Sequence, residues 1–190
     1  MQMLGVRNIS ISRFVAMGIV YLLAAWPMAK HAWAAKPNET NAGIEDLLYQ
    51  AREEAVGLDT DAQDLEALLH SDVTWEGHAD ELVRVGDHVN RLAAIVEKLQ
   101  SDRVDAAPWQ QASIDRVLPM LREIADNTNK AIEYLGRNKS RPLTGDYATW
   151  LRANAESARE LADLINDTIK YGETKDRLDR LAMALSFPQK

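Results

Sequence analysis

The sequence predicts an all-α protein, an antiparallel up-down-up-down four-helix bundle with an extended C-terminal helix. Three observations carry that reading. Apolar residues recur at alternating steps of four and three along four separate stretches, the spacing that lines one face of an α-helix. Gly and Pro number only 9 and 6 in 190 residues and aromatics are 6%, while Leu, Ala, Glu, Asp and Arg dominate, a balance that favours helix over sheet. The connections between stretches run to roughly 4–10 residues, which suits antiparallel neighbours.

The first segment stands apart from the bundle. Residues 1–13 carry Arg7 and Arg13 and no acid, residues 14–26 are apolar, Pro27 breaks the run, and Ala32-Trp33-Ala34 presents small residues where a signal peptidase reads. Together they form the n-region, h-region and cleavage site of a secretory leader. A cleavable signal peptide over 1–34 is expected, with the cut after Ala34 or Ala35. The competing reading is an uncleaved membrane anchor, but the apolar run of 13 residues is short of the roughly 20 that span a bilayer. The expected location is therefore exported, periplasmic or extracellular, with no stable membrane anchor after cleavage. Removing residues 1–34 takes away Arg7, Arg13 and Lys30, leaving 19 basic against 29 acidic residues and moving the net charge from −7 to −10. A surface that acidic repels nucleic acid and anionic lipid. The chain has no Cys, so disulfides, a lipoprotein anchor and C-x-x-C-H haem attachment are excluded.

Residues 35–41 read as a polar linker, and the bundle is expected over 42–172. The first helix, about 42–70, carries Ile44, Leu48, Ala51, Ala55, Leu58, Ala62, Leu65 and Leu69. Gly57 and Asp59-Thr60 suggest a kink within it. The second stripe is Trp75, His78, Leu82, Val85, Val89, Leu92, Val96 and Leu99, with Ser71 or Thr74 as its cap. The third is Ile114, Val117, Leu121, Ile124, Thr128, Ala131 and Leu135. Pro108 sits in its first turn, Pro119 should bend it near 115–119, and Gly136 is the expected C-cap. The fourth stripe is Tyr147, Leu151, Asn154, Ala158, Leu161, Ile165 and Thr168, entered through Arg141-Pro142-Leu143 with Thr144 as N-cap.

Past Gly172 the phase shifts to Tyr171, Thr174, Leu178, Leu181 and Leu185. Three helices of about 28 residues would be roughly 42 Å long and the fourth roughly 60 Å. The amphipathic extension, 173–190, has two readings. Either Gly172 breaks the helix and the tail folds back on the bundle, or the helix continues and Leu178, Leu181 and Leu185 form a face for a protein partner or for self-association.

Catalytic and metal motifs are not found. A di-iron carboxylate site needs two Glu-x-x-His pairs, and the nearest spacing is Glu66 with His70, four apart. Haem would need axial ligands facing each other, and Met120 and Met183 are poorly placed against His78. His78 and His88 read as structural histidines, His88 nearer the boundary. No G-x-S-x-G elbow or phosphate loop occurs. Acid pairs such as Glu53-Glu54 and Asp80-Glu81 read as solvated surface. No cofactor, metal residue or catalytic residue is assigned.

One constellation gathers at the end holding the first and third connections: His70, Trp75, His78, Tyr134, Tyr147 and Trp150, with the basic residues Arg137, Lys139 and Arg141. A polar layer of His78, Thr128 and Asn154 is expected beneath it. Such a layer either binds a small polar or anionic ligand or is a self-satisfied network that fixes helix register. Trp109 is expected to plug the opposite end. The leading functional expectation is a non-catalytic protein–protein interaction or scaffold protein. The alternative is a small-ligand binder using the Trp75/Trp150 end.

Overall fold

The computed structural model describes residues 42–139 and 145–185. The expected leader and linker, the Arg141–Thr144 turn with its cap, and the last five residues of the extension lie outside them. Among the described residues the protein is all-α, with helices α1 (Ala42–Ala67), α2 (Trp75–Ser101), α3 (Pro108–Arg137) and α4 (Asp146–Leu185). Short 3₁₀ turns, Leu68–His70 and Arg103–Asp105, lead out of α1 and into α3. Sequential helices pack side by side and α4 returns to pack on α1, closing a four-membered bundle. No helix among the described residues is long and apolar enough to cross a membrane.

The expected stripes are the core, except that Leu69, past the end of α1, and Trp75, at the start of α2, are half-exposed. Ile44, Leu48, Leu58 and Leu65 of α1 face Leu82, Val85, Val89 and Leu92 of α2, Ile114, Ile124 and Leu135 of α3, and Leu151, Leu161 and Ile165 of α4, all buried. Each such side chain contributes about 1.5–3 kcal/mol by leaving water. Small residues, Ala51, Ala55 and Ala62 on α1 and Ala155, Ala158 and Ala162 on α4, are buried between the aliphatic layers and let helix axes approach closely.

Local signals mostly act where the sequence places them. Thr74 is the N-cap of α2 with extended backbone, although its hydroxyl makes no cap bond; Ser71 instead donates to the Leu68 carbonyl at 2.9 Å and closes the 3₁₀ turn. The Ala107 N–H at the start of α3 donates to Gln110 Oε1 at 2.9 Å, half of a capping box. Pro119 is exposed inside a continuous α3, so the Asp115 carbonyl it leaves unpaired is on the wet side of the helix.

Two glycine expectations are corrected. Gly136 does not cap α3: the helix runs to Arg137, and Asn138 at the C-cap closes it with N–H bonds to the Tyr134 and Leu135 carbonyls and a side-chain bond to the Tyr134 carbonyl. Gly172 does not break α4, which runs unbroken for 40 residues from Asp146 to Leu185. The physical reason is Trp109. A Cβ on Gly172 would lie 2.7 Å from the Trp109 ring, so the missing side chain is the notch that admits the indole. An interior glycine costs about 1 kcal/mol of helix propensity, and burying one face of a tryptophan is worth more than that.

Candidate functional site

The aromatic end assembles much as the spacing suggests, but as a filled plug. Tyr147, two residues into α4, is fully buried. It stacks on Tyr134 with centroids 5.5 Å apart and meets the His78 ring edge-on at 5.8 Å. Trp150 packs against Tyr134 from outside at 6.1 Å. The Tyr147 hydroxyl is 3.2 Å from His78 Nδ1. Burial raises the tyrosine pKa and lowers that of the histidine, so both are neutral at pH 7.

The single polar layer expected of His78, Thr128 and Asn154 is two layers. Asn154 Nδ2 donates to Thr128 Oγ1 at 2.9 Å, and Thr128 in turn donates to the Ile124 carbonyl at 2.7 Å. His78 pairs with Tyr147 instead, and its Nε2 is buried without a hydrogen bond among the described residues. Asn154 lies seven residues beyond Tyr147, about 10 Å along the helix, too deep for a residue in the first turn of α2. The basic residues at this end have separate partners. Lys139 lies over the half-exposed Trp75 ring at 4.8 Å, a cation–π contact. Arg137 pairs with Glu133 along the surface of α3 at 3.2 Å. His70 is exposed, and Arg141 lies outside the described residues.

The core at the opposite end is closed by Ile44, Leu99, Gln110 and Ile169, all buried, and open surface lies on its flank. Trp109 does not plug the core axis. It is half-exposed on the flank of α3, against Tyr171 with ring centroids 5.4 Å apart. Beside it a groove of about 630 Å³ runs between α3 and α4, lined by Trp109, Met120, Leu164 and Tyr171 and rimmed by Arg116, Glu160, Asp163 and Asp167. The Trp109 indole N–H is buried there without a partner among the described residues.

The groove continues onto the end of α4. Residues 160, 164, 167, 171, 174, 178, 181 and 185 follow one another at steps of four and three, so they form one stripe on the helix surface. It lies one residue, about 100°, away from the core stripe ending at Thr168 and Gly172. Gly172 is the last buried residue of α4, and every residue from Arg177 to Leu185 is exposed. Leu178, Leu181 and Leu185 are 60%, 49% and 69% exposed. The sequence identifies the C-terminal half of this stripe; its continuity with the groove depends on Trp109 and Met120 arriving from α3.

A second polar feature is not visible in the sequence. Glu81 is not solvated surface but 6% exposed, facing α1. Glu54 is half-buried too. Its Oε2 is 2.7 Å from His88 Nδ1 and accepts from Arg91 Nε at 2.7 Å, and these partners hold its carboxyl below the usual range against the cost of burial. His88 Nε2 is 3.4 Å from Asp61 Oδ2. Gly57, suggested as a kink, is instead the seat for this ring, since a Cβ there would lie 2.3 Å from His88 Cε1. Comparisons with family models, curated proteins and solved structures find no match to this chain.

Proposed function

We propose that this is an exported, non-catalytic association module in which two copies pair through α4. The leucine stripe beyond Gly172 of one copy lies on the groove between α3 and α4 of the other. The observation that carries the reading is the unbroken run of α4 through Gly172, which holds Leu178, Leu181 and Leu185 in water on the same stripe as the groove. Three leucines on one face of a rigid helix gain by covering each other or a partner.

Charge favours a second copy as the occupant. On the helix surface the leucines are flanked by Arg177 and by the Lys175–Asp179 ion pair, whereas the groove is rimmed on α4 by Glu160, Asp163 and Asp167, the last paired with Lys170. A tail on a groove sets Arg177 against the rim acids Glu160 and Asp163. The two halves belong to one stripe, so an antiparallel two-fold arrangement satisfies both at once and doubles every contact. Export rests on the leader pattern of residues 1–34. The small-ligand reading of the Trp75/Trp150 end is less favoured, because Tyr147 and His78 fill that end and the groove opens at the other.

The test is light scattering and native mass spectrometry of the purified protein. A dimer is expected that becomes monomeric in Leu178→Lys/Leu181→Lys with an unchanged helical spectrum. Lys175→Glu/Arg177→Glu and Asp163→Lys/Asp167→Lys should each weaken it, and the two sets combined should restore it. A monomeric wild type at about 100 μM, well above typical interface dissociation constants, overturns the reading. So does a dimer indifferent to the leucines.

A further inference from the structure

On the opposite flank from the groove, α1 and α2 meet along a charged seam. Two facing rows at steps of three and four, Glu54, Gly57, Asp61 and Asp64 on α1 and Glu81, Arg84, His88 and Arg91 on α2, run antiparallel. At the Glu54 end the seam is balanced, with Arg91 and His88 both on the carboxylate. At the other end it is not. One carboxylate oxygen from each of Asp61, Asp64 and Glu81 lies within 4.8 Å of the others, and the Arg84 guanidinium beside them donates to Glu81 Oε2.

We propose that Asp61, Asp64 and Glu81 form a binding site for one hard divalent cation of the Ca²⁺ class.

Two independent observations support it. The first is spacing: oxygens bound to one Ca²⁺ at about 2.3–2.6 Å lie no more than about 5 Å apart, which the trio satisfies without rearranging the helices. The second is Glu81 Oε1. It is shielded from solvent, has no hydrogen-bond partner among the described residues, and belongs to a side chain 6% exposed. A buried carboxylate oxygen without a partner costs several kcal/mol unless a charge or proton meets it. Arg84 occupies the other oxygen.

The donor set defines the class of ion. It is oxygen only, which selects Ca²⁺, Mg²⁺ or Mn²⁺ over Zn²⁺ or Cu²⁺. Three protein ligands with Asp64 exposed on one side leave positions for water, the arrangement of a modest site rather than a tight buffer. His88, wedged over Gly57 and 3.4 Å from Asp61 Oδ2, is a positioning residue that keeps that carboxylate turned toward the seam. The ion would tie α1 to α2 at the end of the bundle away from the α4 extension. The inference departs from the sequence expectation that no metal residue is present, because no linear motif links 61, 64 and 81. It does not depend on self-association, which uses α3 and α4.

The rival occupant of the cluster is a proton. Burial, with Asp61 and Asp64 adding to it and Arg84 opposing, raises the Glu81 pKa. Calorimetric titration of the chelator-treated protein with CaCl₂ at pH 7.5, and thermal unfolding with and without it, separates the two. Expected is saturable one-to-one binding with a dissociation constant of about 10⁻⁴–10⁻³ M, and a raised melting temperature. Asp64→Asn, an exposed change that leaves the core alone, should weaken binding at least tenfold, as should Glu81→Gln. Asp126→Asn, an exposed acid on α3 paired with Lys130, should not. No saturable binding at about 5 mM Ca²⁺, above the weakest range of such sites, overturns the proposal and leaves the proton. Binding indifferent to Asp64→Asn overturns it as well, since the ion would then sit on other surface acids. Should Glu81→Gln fail to fold, Asp64→Asn alone decides.

Discussion

The two ends of the bundle solve the same problem in opposite ways. A helix end must stop the core from meeting water. At the Tyr147 end four rings close over it, Tyr147 fully buried and Tyr134, His78 and Trp150 around it. At the Trp109 end α4 continues past its neighbours, and leucines stand in solvent on the continued helix. Both ends bury core side chains, but the second also holds uncovered apolar surface on the helix beyond Gly172. The difference teaches where stability and function separate: substitutions in the closed aromatic cluster should destabilise the protein, and those on the exposed stripe beyond Gly172 should change only what it associates with.

The largest effect tests the closed end. Tyr147→Ala removes a fully buried ring stacked on Tyr134 and leaves a cavity at the head of the core. A loss of about 3–5 kcal/mol is expected by urea unfolding, the range for large aromatic to alanine changes. Leu178→Lys, of similar chemical severity but 60% exposed, should stay within about 0.5 kcal/mol in the monomer. Comparable losses at both positions would mean that the end of α4 packs on the bundle.

A smaller effect comes from pH. Burial lowers the His78 pKa in the folded protein below its ordinary 6.5. The unfolded chain therefore binds a proton that the folded one refuses. Stability contributed by neutral His78 is fully present above about pH 6.5, and declines as pH falls through that value toward the lower folded pKa, by at most about 1.4 kcal/mol per pH unit for one proton. His78→Gln keeps a hydrogen-bonding side chain beside Tyr147 and cannot titrate. The urea midpoint of the wild type should drop more steeply than that of the variant between pH 7 and pH 5. Parallel curves would show that His78 is solvated.

The closed end is more legible in the sequence than the open one, and the reason is geometric. Tyr147, Leu151 and Asn154 occupy core positions of one helix, and core positions are readable from spacing alone. Pairing across helices is less so. The depth of His78 relative to Asn154 depends on where each helix starts, and an offset of about two turns divides the one expected layer into two. Asp61, Asp64 and Glu81 each sit one residue from a core position, next to Ala62, Leu65 and Leu82. Whether such flanking residues face each other depends on whether α2 lies to the left or right of α1, which periodicity does not encode. Acids beside a core stripe read as surface because most are. The groove needs the same information, since Trp109 and Met120 come from α3 and Leu164 and Tyr171 from α4.

Glycine supplies the finest test of the contrast. Gly136, near the closed end, is exposed inside α3, and a methyl added there would meet nothing within 4 Å, whereas one on Gly172 would meet the Trp109 ring at 2.7 Å. Both positions are helical, so alanine gains about 0.5–1 kcal/mol of propensity at each. Gly136→Ala should realise that gain as a higher melting temperature. Gly172→Ala should not, because the indole must leave its notch and turn into the groove beside Leu164. The same displacement fills the surface that the second copy is proposed to cover. Gly172→Ala should therefore weaken dimerisation while changing monomer stability little. If both variants are equally stabilised and equally dimeric, Trp109 is free to move, and the notch is not what lets α4 run on.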